Sequence, residues 1–279
     1  MNDKDAFGDR MKDLEGMEAG RRFMPQVPIM ARLDGKGFSK FTKGLKRPFD
    51  ERMSNLMMET TRYLVEETQA NCGYTQSDEI SLVFYSDSPE SLVWFDGRIQ
   101  KMTSILAAKC SVFFNKKLPE YLPEKEDKFP VFDCRVWTVP TLEEGANTLL
   151  WREMDATKNS ISMAAQEYYS HKELMNKNSK EKQEMLFQKK INWNDYPRFF
   201  KRGSFIQKSV VKKKLAEMTE EELSILPEKH NARKNPNFEF ERSIYQVIEM
   251  PPFVKVSNRV GVVFFGETPI PYAEKKDIK

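Results

Sequence analysis

The chain has 279 residues, with 45 Lys and Arg against 42 Asp and Glu, three Cys and only two His. With 39% hydrophobic and 31% charged residues it is neither disordered nor collagen-like, and it is long enough for one large domain or two small ones. His171 and His230 sit in polar segments without a HExxH or Cys/His grouping, which argues against a zinc centre or a Ser-His-Asp engine and leaves carboxylates, lysines and metal ions.

Residues 5–20 read as a short amphipathic helix. The run Val27 to Leu33 then reads as a strand that stops at Asp34-Gly35-Lys36-Gly37-Phe38, where two glycines mark a tight turn or a close approach to a ligand. Asp50 is a plausible N-cap for a helix carrying Met53, Leu56, Met57, Thr60, Tyr63 and Leu64 through about Gln69. The methionines there, with Met58, predict core filling. Gly73 to Glu79 and Ile80 to Tyr85 read as two short strands joined by a polar turn. A second helix is expected from about Pro89 to Asn115, a Pro- and charge-rich loop over Leu118 to Pro130, and another strand from Val131 to Val139. Thr141 to about Tyr169 is helical again.

The order β-α-β-β-α-β is that of a ferredoxin-like split unit, so the expected fold class is α+β with an antiparallel sheet. Residues 1–140 form the expected core, and 141–279 helical and irregular additions packed on it. No stretch approaches the roughly 18 apolar residues of a membrane helix, and the acidic, polar opening segment predicts no secretory signal. Cys72, Cys110 and Cys134 are scattered without a CxxC, which predicts reduced thiols and a cytoplasmic protein.

The net charge of +3 hides a division. Residues 171–214 hold 13 Lys/Arg and four Asp/Glu, a local +9 that leaves −6 for the rest. Phe187, Trp193, Tyr196, Phe199, Phe200 and Phe205 interleave this block, a pattern that suits phosphate backbones and unstacked bases as well as a solvated lysine-rich surface. Lys182, Lys189, Lys190, Lys201 and Arg202 are its RNA-contact candidates, with Arg135 and Arg152 beyond it; those two arginines also read as ion-pair partners. Lys212 to Lys214 read as a solvated helix end. An acidic segment around Glu220 to Glu222 follows, then a tail ending in Lys275-Lys276.

Asp34 ends the first core strand, and Asp78 with Glu79 lies on the turn before the third. In this topology the first and third strands are neighbours, so the carboxylates can meet at one sheet edge. Two carboxylates about 4 Å apart repel by roughly 4 kcal/mol at an effective dielectric of 20. The natural filler without His or Cys is Mg²⁺, which takes oxygen ligands and usually a substrate's phosphates. Two such ions can clamp the attacking and leaving oxygens of phosphoryl transfer.

The segment 32–41 (RLDGKGFSKF) resembles the first motif of the tRNA(His) guanylyltransferase family, and 73–84 (GYTQSDEISLVF) its second. Arg98, Lys101 and Thr103, Phe132-Asp133 with Arg135, Trp151-Arg152 with Asp155, Lys182 ahead of Leu186-Phe187, and Asn192-Trp193-Asn194 leading to Lys201-Arg202-Gly203 match in order. The resemblance covers roughly residues 24–206. It implies a polymerase-like palm that adds nucleotides to the 5′ end of tRNA in the 3′–5′ direction. The tRNA 5′-phosphate is activated by ATP, and the 3′-hydroxyl of GTP or another nucleotide then attacks it. By the same resemblance Asp34, the backbone of Gly35 and Asp78 hold Mg²⁺, two ions or more, and Glu79 supports them. Asp34, Gly35, Lys36, Gly37, Phe38, Ser39, Ser77 and Asp78 hold the nucleoside triphosphate, Lys101 contacts its phosphates, and the assembly is a homotetramer. Ser39 stands where eukaryotic members carry His, and Thr157-Lys158-Asn159-Ser160 replaces their His-Ile-Asn-Asn. Both departures are similar to the guanylyltransferase-like branch, which repairs 5′-truncated tRNAs against a template. A nucleotidyl or diguanylate cyclase on the same palm and a non-catalytic RNA-binding protein are the competing readings; the hairpin reads Gln-Ser-Asp-Glu and not Gly-Gly-Asp/Glu-Glu-Phe.

Overall fold

The computed structural model describes residues 5–88, 90–91, 93–220, 223, 235 and 237–272. His230, Glu221, Glu222 and the Lys275-Lys276 tail lie outside them.

Helix α1 (Ala6–Ala19) buries none of its residues. Strand β1 (Ile29–Gly35) leads through the four-residue helix α2 (Phe38–Phe41) to α3 (Glu51–Thr68). The cap on α3 is the expected one: the Asp50 side chain accepts from the Arg52 N–H. Met53, Leu56, Met57, Leu64 and Val65 recur on its buried face, as the spacing predicted. Strands β2 (Cys72–Gln76) and β3 (Glu79–Phe84) follow, then α4 (Ile99–Tyr121) and β4 (Phe132–Thr138).

With β5 (Ser204–Lys214) and β6 (Glu239–Val247), these strands lie in one antiparallel sheet of order β4-β1-β3-β2-β5-β6. Its first four members reproduce the expected β-α-β-β-α-β unit. Side chains alternate between the two faces. Ile29, Ala31 and Leu33 enter a core with α3 and α4, whereas Met30 enters a second core on the opposite face. Each fully buried aliphatic side chain contributes about 1.5–3 kcal/mol, so the alternation of β1 commits it to one register.

Three expectations are corrected. The second helix starts ten residues later than Pro89, because Phe95, Asp96 and Gly97 adopt positive φ in a turn after the strand. It then runs past Asn115 to Tyr121, since Leu118 and Leu122 are buried and Pro119 sits in its last turn. Lys212 to Lys214 are not a helix end. They belong to strand β5 (Ser204–Lys214), whose residues 204–207 pair with β2 and 206–214 with β6 (Glu239–Val247). The residues after 141 thus extend the sheet as well as adding helices.

Helix α5 (Leu142–Gln166), capped by Thr141, lies across the second face of the sheet. Short helices α6 (His171–Leu174), α7 (Ser179–Gln188) and α8 (Arg198–Arg202) pack beside its C-terminal half through Ile161, Leu174, Leu186 and Trp193. The chain then returns to cover the sheet: Phe253, Val256 and helix α9 (Arg259–Phe265) supply much of the second core. No helix among the described residues is long and apolar enough to cross a membrane.

Candidate active site

Two turns meet at the end of the central strands. Asp34 is the direct cross-strand partner of Glu79 on β3 and of Asp133 on β4. The Gly35 N–H donates to the Asp78 carbonyl at 3.2 Å, which fastens the turn after β1 to the turn between β2 and β3. A side chain at Gly35 has no room, because a Cβ there would lie 2.3 Å from the Phe38 ring. Gly37 has φ +68° and caps α2, a conformation that costs other residues about 1–2 kcal/mol. Phe38 is buried against Phe41, Phe114 and Phe132, with ring centroids 5.0–5.8 Å apart, and so anchors this turn in the core.

The Ser77 hydroxyl donates to Asp78 Oδ1 at 3.1 Å. Burial, and after it the nearby charge of Asp34, raises the Asp78 carboxyl above the usual carboxylate range. Glu79 is also raised by burial, against the opposing pull of Arg152. Its two oxygens accept from Arg152 Nε and Nη2 at 2.6 and 2.7 Å, a fork between two buried residues. Among the described residues no group of three His, Cys, Asp or Glu could hold a metal by itself. The donor set at hand is two carboxylates with backbone carbonyls, all hard oxygens, beside an open cleft. That suits Mg²⁺, which keeps waters and shares a substrate's phosphates.

The cleft has a volume of about 680 Å³ and one polar wall formed by Asp34, Ser39, Ser77, Asp78 and Glu79. The facing wall comes from the segment 42–50 and from α5 and α8. Phe49 there touches Tyr196, Phe199 and Phe200 at centroid distances of 4.7–6.2 Å. Lys43, Lys46 and Arg47 also line it, and none pairs with a carboxylate among the described residues. Sequence reasoning missed these three; their only signal is three cations within five residues of a loop between two helices.

The expected site residues separate into those at the cleft and those away from it. Asp34, Phe38, Ser39, Ser77, Asp78, Glu79 and Arg152 line it, and Gly35, Lys36 and Gly37 form the adjoining turn. Lys101 does not. It stands over the Phe95 ring on the first turns of α4, ten residues before Ser111, whose hydroxyl accepts from the Phe132 N–H opposite Gly35. At 1.5 Å per residue that is about 15 Å along the helix, and α4 packs on the other face of the sheet. Arg135 is exposed on β4, 3.6 Å from Asp133 and directly across from Arg32. Lys182 reaches the Ser162 hydroxyl at 3.0 Å, Lys189 lies over Tyr169, and Lys190 is exposed. Lys201 donates to the Asn194 carbonyl and stacks on Trp193, and burial lowers its pKa. Arg202 Nε lies 3.9 Å from Glu153. Arg152 is buried and paired with Glu79 and Asp155, the ion-pair reading that its sequence position also offered.

A family model described as tRNAHis guanylyltransferase matches residues 8–140, and a second, the Thg1 C terminal domain, matches 143–249. The chain belongs to the tRNA(His) guanylyltransferase family. An uncharacterized protein of Acanthamoeba polyphaga mimivirus is 30% identical over 74% of this chain and 78% of its own length. The tRNA(His) guanylyltransferase of Neurospora crassa is 30% identical over 72% and 75%. Among solved structures, a bacterial tRNA(His) guanylyltransferase-like protein in complex with GTP superposes with a TM-score of 0.69. It shares 32% identity over 90% of this chain and 95% of that one. The complex of such a bacterial protein with ATP gives 0.68, at 38% identity over 72% and 88%. The family's palm-like α+β fold and nucleotidyltransferase class apply to this guanylyltransferase-family chain. The last residues of the second core, 250–264, lie past the end of both family models.

Proposed function

We propose that the protein adds nucleotides, GTP among them, to the 5′ end of a tRNA in the 3′–5′ direction, after ATP has activated the 5′-phosphate. The observation that carries this reading is the meeting of Asp34 and Asp78 through the Gly35–Asp78 backbone bond at the polar wall of the cleft. Two Mg²⁺ ions held by Asp34, Asp78 and the Gly35 carbonyl would neutralise charge at the attacking and leaving oxygens. The turn 34–39 with Ser77 positions the triphosphate, Lys43, Lys46 and Arg47 offset its charge, and the Phe49–Phe199–Phe200 wall takes the base.

Ser39, Asn159 and Ser160 all line this cleft, so both departures from the eukaryotic motifs fall where the substrate would lie. That favours a template-reading repair enzyme over one dedicated to tRNA(His). The exposed Lys189 and Lys190, with Arg135 at the sheet edge, lead the RNA-contact candidates, and Lys182, Lys201 and Arg202 stand beside them. Lys101, over the Phe95 ring on the first turns of α4, stands apart from this cleft, and a homotetramer is part of the same proposal. The buried thiols of Cys72 and Cys110 suit a reducing cytoplasm.

The test is extension of intact and 5′-truncated tRNAs with each nucleotide in turn. Wild-type protein extends the 5′ end only with Mg²⁺, whereas Asp34→Ala and Asp78→Ala do not. Extension by both variants at the wild-type rate would refute the site.

A further inference from the structure

We propose that Arg152 is a positioning residue of the metal site, fixing Glu79 beside Asp34 and Asp78, and makes no contact with RNA. The inference rests on the reading of Asp34 and Asp78 as the metal-holding carboxylates. Glu79 follows Asp78 directly and faces Asp34 across the β1–β3 ladder, so all three carboxylates gather at one end of the sheet. Glu79 is only 7% exposed, and a buried carboxylate without a partner is costly by several kcal/mol. The guanidinium removes that cost with one N–H on each Glu79 oxygen.

The guanidinium is itself held on two further sides. Asp155 lies 3.2 Å from Nη2, one turn along α5, and the Trp151 ring lies 4.5 Å from Cζ. Such a fixed fork does two things for the neighbouring pair. It cancels the charge of Glu79, so that a cation between Asp34 and Asp78 answers two carboxylates and not three. It also keeps the Glu79 side chain from swinging toward the metal. Outer partners of this kind typically set metal affinity within a factor of 10–100. Lysine keeps the charge but cannot form the fork.

The experiment uses the full chain with Mn²⁺ alone as probe, titrated by electron paramagnetic resonance, beside steady-state tRNA extension. Arg152→Lys should weaken Mn²⁺ binding about tenfold and lower kcat, with the KM for tRNA unchanged. Arg152→Met alone would leave Glu79 buried and unpaired, so the second variant is Glu79→Gln/Arg152→Met, which removes that charge. That double variant should bind Mn²⁺ no more weakly than Glu79→Gln alone, since Arg152 acts through Glu79. The proposal is overturned if Arg152→Lys binds Mn²⁺ like wild type, if the KM for tRNA rises instead, or if the double variant binds Mn²⁺ more weakly than Glu79→Gln alone. If wild type binds Mn²⁺ no better than Asp34→Ala, the fault lies with the metal reading and not with Arg152.

Discussion

Glu153 follows Arg152 on α5 and meets the backbone of Phe253 in the second core. It is 4% exposed and accepts the Phe253 N–H at 2.8 Å, with Arg202 Nε 3.9 Å away. Burial pushes its carboxyl up from 4.5 to about 7. Below 4.5 it is protonated in both the folded and the unfolded chain. Between 4.5 and about 7 the unfolded chain ionises while the folded one does not, so stability falls as pH rises through that window. At about 1.4 kcal/mol per pH interval the full loss is about 3 kcal/mol. Glu153→Gln keeps an oxygen for the Phe253 N–H and cannot ionise. The variant should match wild type near about pH 4 and be more stable by about 2–3 kcal/mol at about pH 8. For a chain of this size that gain raises Tm by about 4–12 °C. Thermal or urea unfolding of both proteins across this range is the assay, and all other titrating groups cancel in the difference. Parallel stability curves for the two proteins would refute the reasoning.

Other substitutions test the surrounding architecture. Phe253 is fully buried, so Phe253→Ala should cost about 3–5 kcal/mol by urea unfolding; a near-neutral result would mean that the segment after 249 is not part of the core. Gly37→Ala meets no neighbour within 4 Å but must keep φ +68°, so it should cost about 1–2 kcal/mol, and an unchanged Tm would contradict the assigned turn. Phe49→Ala removes the side chain that joins segment 42–50 to α8, and it should raise the nucleotide KM about 5–100-fold, the worth of one stacked base. Equal KM values would remove the base from that wall.

The centre of the sheet was legible because its signals are local. The Asp50 cap, the 3.6-residue spacing of α3 and the glycine-punctuated turn after Asp34 are each decided within a few residues. Strand β5 was hidden because its lysines obscure the alternation, and its buried Phe205 looked like one more aromatic interleaved in a basic block. Phe253 and Val263 gave no signal, since their partners lie about a hundred residues upstream, on α5 and the sheet. At the site the carboxylates could be read as a pair, but the facing wall could not. Lys43, Lys46, Arg47 and Phe49 become a wall only when α8 closes against them. Arg152 was ambiguous for a physical reason: a guanidinium serves a phosphate or a buried carboxylate equally well, and only burial decides.

The strand order has a consequence for synthesis. Apart from Ile206, every buried residue of the core under α3 and α4 lies between Ile29 and Phe132, whereas the core under α5 is not closed before Phe264. A ribosome adding about 5–20 residues per second takes about 6–25 s to travel from the end of β4 to that last phenylalanine. During that interval the nascent chain can hold its paired carboxylates and segment 42–50 before α5 and α8, which complete the cleft, and the cover over the sheet have emerged. The chemistry is laid down first, and the enclosure that gives it a substrate arrives last.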